Sequence, residues 1–260
     1  GSEMCIRDSL QVMALLRDKD NGCEWDKEQT FETIAPHTIE EAYEVADAIE
    51  RSNKEDLKEE LGDLLLQVVF LSQIAKEEKS FEFSDVVQVI TDKLIRRHPY
   101  VFSKKKSHSS DEQIDKWEEI KVQERKEKKQ NRVLDGIAQN LPALNRSQKI
   151  QKRVSKVGFD WPDVIGVFEK IKEETNELEE AIGTKDKESI EEEIGDLLMI
   201  ITNLAQKLDV NSEQALKKSN DKFIKRFNFL EEELNKRNET FSETSFEELD
   251  SLWDQSKKLS

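Results

Sequence analysis

Two stretches of this chain, 133 positions apart, carry the same pattern of acids. Residues 38–66 read TIEEAYEVADAIERSNKEDLKEELGDLLL, and residues 171–199 read IKEETNELEEAIGTKDKESIEEEIGDLLM. The shift lays Glu41 on Glu174, Glu44 on Glu177, Glu60 on Glu193, Gly62 on Gly195 and Asp63 on Asp196. Register that survives a connecting turn, where drift is expected first, marks a duplicated structural unit. The likeness extends outward with small shifts. Gly22-Cys23-Glu24-Trp25-Asp26 resembles Gly158-Phe159-Asp160-Trp161-Pro162, and Asp92-Lys93 with Ile95-Arg96-Arg97 resembles Asp221-Lys222 with Ile224-Lys225-Arg226. Trp117 and Trp253 stand in similar acidic surroundings. Two related domains are therefore expected, residues 10–130 and 137–260.

The composition says what each repeat is made of. Charged residues make up 38% of the 260, against only eight Gly and four Pro, which favours long exposed helices over strands. The predicted fold is all-α, with an antiparallel helix hairpin in each domain turning at 51–54 and at 183–185. At 100° per residue, Leu57, Leu61, Leu64, Leu65, Val68 and Leu71 share one arc, as do Ile190, Ile194, Leu197, Leu198, Ile201 and Leu204. These arcs are the expected core, with Glu60, Asp63, Glu193 and Asp196 at their margins. Glu41 and Glu44 likewise flank Ala42, Val45, Ala46 and Ile49. The tract 103–110 reads as a loop. The charge-dense stretch 121–132 reads as an exposed helix or a flexible connector.

The i,i+3 spacing puts each acid pair on one face, so packing the two arcs together gathers four carboxylates beside the core. Like charges so placed repel, more strongly in a low dielectric. A hard divalent cation offsets that repulsion, and Mg²⁺ suits a few carboxylates plus water and phosphate oxygens. A ferritin-like di-iron site would want Glu-x-x-His from two helices, and neither Glu60 nor Glu193 has His at i+3. The net charge of -16 argues against a nucleic-acid binder that works through a basic face. No run of about 18 apolar residues is present, so no membrane span is expected. Residues 1–9 hold no apolar signal-peptide core and are set aside. Cys5 and Cys23 make no disulfide framework, which points to a reducing cytoplasm. There is no Gly-rich phosphate loop and no Ser-His-Asp arrangement, with three His in all.

The spaced set E-E-x-x-E, then E-x-x-D, with E-E-L-G-D-L-L and the G-x-x-W-D segment, resembles the MazG-type family of all-α nucleoside triphosphate pyrophosphohydrolases in its tandem form. The resemblance runs from about Leu10 onward. It implies Mg²⁺-dependent hydrolysis of nucleoside triphosphates, ATP included, to monophosphate and pyrophosphate, with Mn²⁺ able to substitute, by a homodimer. Carried onto this sequence, the metal ligands are Glu174, Glu177, Glu193 and Asp196 in the second copy. Glu41, Glu44, Glu60 and Asp63 are their equivalents in the first. Glu173 and Glu192, with Glu40 and Glu59 in the first copy, are nearby acids that could position a water or touch substrate. Lys222, Arg226 and Trp253 match nucleotide-contacting positions, and Lys170 is a weaker candidate.

Trp253 would stack on a base or plug a C-terminal helix. Trp25 and Trp161 read as structural, and His98 as a helix-end residue. Lys93, Arg97 and Trp117 keep the first copy formally complete. Both copies keep their acids, and the resemblance favours the second as the catalytic one. Two rivals stand: a same-fold enzyme narrowed to dUTP, dCTP or phosphoribosyl-ATP, and a helical dimer that binds a nucleotide or a protein partner without turnover.

Overall fold

The computed structural model describes residues 2–102, 110–127 and 129–258. All regular structure among them is helical: α1 (Ser2–Leu16), α2 (Glu24–Glu28), α3 (Phe31–Glu50), α4 (Lys54–Glu77), α5 (Phe83–Arg97), α6 (Pro99–Phe102), α7 (Ser110–Glu127), α8 (Ala143–Ser155), α9 (Val164–Thr184), α10 (Lys187–Lys207), α11 (Ser212–Arg237) and α12 (Phe246–Ser256). No helix among the described residues is long and apolar enough to cross a membrane. The loop expected at 103–110 lies outside the described residues except for Ser110, the first residue of α7. In the stretch 121–132, residues up to Glu127 continue α7 as helix. The chain divides into two compact units, Gly1–Lys121 and Val122–Ser260.

Each unit is built on the expected hairpin, α3 with α4 and α9 with α10. The turns match residue for residue. Ser52 and Lys185 both adopt the left-handed conformation, at φ 55° and 61°. The next residue caps the following helix: Asn53 Oδ1 accepts from the Glu55 and Asp56 N–H groups, and Asp186 Oδ1 from that of Glu188. The second turn thus falls slightly later than expected, because Gly183 and Thr184 stay helical and Asp186 supplies the cap. α3 starts at Thr30, whose hydroxyl accepts from the Thr33 N–H while Thr33 Oγ1 accepts from the Thr30 N–H. α9 starts at Asp163, which accepts from Ile165 and Gly166.

A third helix braces each hairpin: α1 lies on α4, and α8 on α10. In the first unit Met13, Ile34, Val69, Phe70 and Ile74 form the core, with Leu10, Leu16, Phe31, Leu71 and Phe83 around it. In the second unit α11 and α12 close over Leu230, Leu234 and Leu252, flanked by Phe229, Phe241, Leu249 and Trp253. The expected core arcs are only half covered. Leu57, Leu64 and Leu71 are partly buried, whereas Leu61, Leu65 and Val68 are exposed. Their counterparts Ile194, Leu198 and Ile201 are exposed as well, and so is Ile49. The helices packed on each hairpin, α1 and α5 on α4 and α8 and α11 on α10, leave one side of an apolar stripe this wide uncovered.

Candidate metal centre and adjoining pocket

The hairpin geometry brings three acids of each copy together. Glu41, Glu44 and Glu60 each offer a carboxylate oxygen within 4.8 Å of the others, and so do Glu174, Glu177 and Glu193. Asp63 and Asp196 follow Glu60 and Glu193 one helical turn on, outside these tight triads but inside their field. Burial, then the charges of Asp63, Glu44 and Glu40, raises the Glu41 carboxyl above its ordinary range. Glu60 is raised by burial and then by Glu44, Asp63 and Glu41. Glu193 is raised by burial and then by Glu177, Glu174, Asp196 and Glu192. Each cluster therefore holds more negative charge than its surroundings favour, and all its donors are hard oxygens. That donor set fits a divalent cation of the Mg²⁺ type.

The second cluster is set deeper. Glu174 is 5% exposed, and Lys170, one turn earlier on α9, reaches it at 2.7 Å and Glu173 at 2.8 Å. Hydrogen bonds first to Glu173 and then to Glu174 hold the Lys170 ammonium well above its usual range, so it remains charged. The corresponding residue of the first copy is His37, 3.4 Å from Glu40. Glu173 and Glu192 are both exposed at the rim of the second triad.

A cavity of about 620 Å³ adjoins this triad, lined by Lys170, Glu174 and Asp196, by Met199 and Ile200, and by Gln151 with residues 158–162. The expectation that Trp161 is structural covers half of its position. Its ring lies over Gly166, where a Cβ would stand 2.5 Å from the ring's Cδ1, and it also lines the cavity. Trp25 sits within α2, edge-on to Phe70 at 6.5 Å and to His37 at 6.4 Å. His98 caps α5, its Nδ1 2.8 Å from the Leu94 carbonyl oxygen.

Lys222, Arg226 and Trp253 are not among the residues that line the cavity. Arg226 lies over the Trp253 ring at 5.9 Å, and Trp253 also meets Phe223 at 5.0 Å. Phe223, Phe227 and Phe241 continue this as a stack. In the first copy Arg97 stands over Trp117 at 5.9 Å. Sequence reasoning passed over Gln151, Asp160, Asn203 and Lys207, which lie in or behind the cavity wall. The signal was available on α10, where Glu193, Asp196, Ile200, Asn203 and Lys207 recur at i+3 and i+4 and continue one stripe.

Comparison with known proteins agrees with the duplicated site. The model of the MazG nucleotide pyrophosphohydrolase domain matches residues 29–102 and 165–229, one segment around each acid set. The chain is 48% identical over 251 residues to the nucleoside triphosphate pyrophosphohydrolase of Escherichia coli, across 96% of this chain and 95% of that one. It is 46% identical over 248 residues to the nucleoside triphosphate pyrophosphohydrolase/pyrophosphatase MazG of Thermotoga maritima, across 95% and 94%. A shorter match, 39% over 152 residues, joins 58% of the chain to 47% of the nucleoside triphosphate pyrophosphohydrolase of Mycolicibacterium smegmatis. With the domain present twice and the likeness nearly end to end, the chain belongs to the MazG family of nucleotide pyrophosphohydrolases.

Proposed function

We propose that this chain hydrolyses nucleoside triphosphates to monophosphate and pyrophosphate, with Mg²⁺ as its metal and Mn²⁺ as a substitute, and that the second copy is the working one. The observation that carries this reading is the triad Glu174, Glu177 and Glu193 beside a nucleotide-sized cavity that Lys170 lines. Glu174, Glu177, Glu193 and Asp196 would hold the metal; Glu41, Glu44, Glu60 and Asp63 would form the matching set in the first copy. A bound divalent cation neutralises triphosphate oxygens and lowers the pKa of a water.

The rest falls to the protein. Lys170 pairs with Glu174 and brings a permanent positive charge to the cavity wall. Glu173 and Glu192, both exposed, would accept a proton from an attacking water or orient it. Lys222 and Arg226, i,i+4 on α11, supply charge for phosphate oxygens. Trp253 serves that set by backing Arg226, its ring already engaged with Phe223. The half-covered stripes Leu61, Leu65, Val68 and Ile194, Leu198, Ile201 support a homodimer that buries them. The exposed free thiol of Cys23 fits a reducing cytoplasm. The acidic charge fits a partner list without nucleic acid or membrane.

The test is to incubate the protein with Mg²⁺ and a panel of nucleoside triphosphates and to separate the products. Monophosphate and pyrophosphate are expected. Diphosphate with orthophosphate, or no product, would overturn the reading. The same panel separates a broad enzyme from one narrowed to dUTP, dCTP or phosphoribosyl-ATP. Light scattering checks the dimer.

A further inference from the structure

The cavity beside Glu174 has two unlike walls. α9 and α10 contribute Lys170, Glu174 and Asp196, while α8 and the 158–162 loop contribute Gln151, Phe159, Asp160, Trp161 and Pro162. Behind the second wall runs a buried polar chain. Asn203, 1% exposed, donates from Nδ2 to Gln151 Oε1 at 3.1 Å and to Asp160 Oδ1 at 3.3 Å. Lys207 Nζ pairs with Asp160 Oδ2 at 3.0 Å and donates to the Trp161 carbonyl. Asp160 Oδ1 also accepts from the Trp161 N–H at 2.8 Å. Three side chains thus fix the backbone on which Trp161 stands.

We propose that this cavity takes the nucleoside of the triphosphate, with Gln151 as a specificity-determining residue and Asn203, Asp160 and Lys207 as positioning residues for the 158–162 loop. The proposal rests on the pyrophosphohydrolase reading of the adjoining carboxylates. Because Asn203 engages the Gln151 carbonyl oxygen, the Gln151 amide is oriented and its Nε2 is the donor left for a ring nitrogen or carbonyl of a base. The volume and the mixture of apolar residues with few polar groups are those of a small-molecule site. The Trp161 ring offers a planar heterocycle a stacking surface.

The sister repeat supplies the control. A buried polar network costs desolvation, which its hydrogen bonds have to offset. In the first copy the α4 positions of Asn203 and Lys207 are Phe70 and Ile74, both in the apolar core, and Trp25 packs on Phe70. The hairpin fold therefore stands without the network. Its presence in the second copy also leaves the Asn203 Oδ1 without a hydrogen-bond partner among the described residues.

The test compares Gln151→Leu and Asp160→Asn with the wild type on ATP, GTP, CTP and UTP. Inorganic tripolyphosphate, which has no nucleoside, serves as competitor. KM is expected to rise about 10-fold, with a smaller fall in kcat, an altered ranking of the bases and an unchanged tripolyphosphate inhibition constant. An unchanged KM, or tripolyphosphate inhibition that weakens in step with it, overturns the proposal. Should the wild type release no pyrophosphate, the reaction assigned to the carboxylates fails, and the cavity is judged by binding alone. Quenching of tryptophan fluorescence by AMP that weakens in both variants supports it; equal quenching in all three proteins overturns it. Gln151, partly exposed at the wall, is the variant least exposed to misfolding.

Discussion

The two carboxylate clusters share a hairpin, a turn and a register, and they differ in what surrounds them. Along α4 the stripe reads Glu60, Asp63, Gln67, Phe70, Ile74; along α10 it reads Glu193, Asp196, Ile200, Asn203, Lys207. The acids at the start agree, and everything after them diverges. In the first copy the stripe runs into an apolar core, and aromatic side chains occupy the neighbourhood of His37. In the second it runs into a polar network with a cavity in front. The lesson is that an acid motif sets where a cation can sit, whereas the turns beyond it set whether a substrate has room beside that cation.

The comparison breaks most visibly at the proposed metal ligands. Glu193→Ala is expected to lower turnover more than about 100-fold, beyond the loss that outer-shell partners of a metal usually cause. Glu60→Ala is expected to retain most of the activity, and equal losses in a steady-state assay would erase the distinction between the copies. Next in size is Phe70→Ala, which opens a cavity in the first core and should cost roughly 3 kcal/mol in denaturant unfolding while leaving turnover in place. Loss of turnover there would make the first copy part of the working site.

Lys170→Met strips Glu174 of its cation. Because Lys170 is about a third exposed, the cost is set below that of a fully buried pair, at about 1–2 kcal/mol, and should shrink when Mg²⁺ is added. The smallest effect is the rise in Tm on adding Mg²⁺, roughly 2–4 °C. Its sign with pH follows from the raised carboxyls Glu41, Glu60 and Glu193. Without metal the folded protein holds protons that the unfolded chain has released, so stability falls as pH climbs through the ordinary carboxylate range toward the raised values. A cation displaces those protons, so its stabilising effect should be larger at neutral pH than in acid. A Mg²⁺ effect that grew on acidification would argue against carboxylate ligands.

Much of this was legible in the sequence, for definite reasons. The hairpins and their acids could be placed because i,i+3 spacing and a constant shift are local properties of a helix. The turns were nearly placed as well, missing that Gly183 and Thr184 stay helical and that Lys185 takes the left-handed conformation without glycine. What periodicity could not tell is which side of an apolar arc the same chain covers. Leu61 and Leu64 look alike in a helical projection, yet one is exposed and the other partly buried. The cavity escaped for another reason. Asp160 and Trp161 meet α10 from outside the strict repeat, where the offset between the copies has drifted from 133 to 136. Only in three dimensions does Asp160 find Asn203 and Lys207.

One atom's worth of space governs how that wall is set. Trp161 rests over Gly166, the second backbone amide capped by Asp163, where even a methyl group would collide with the indole. Position 166 lies on the helix that carries Lys170 and Glu174, yet it makes no claim on the phosphate end. Gly166 thus leaves the room that the cavity-lining indole occupies, and any side chain at that position would have to displace Trp161.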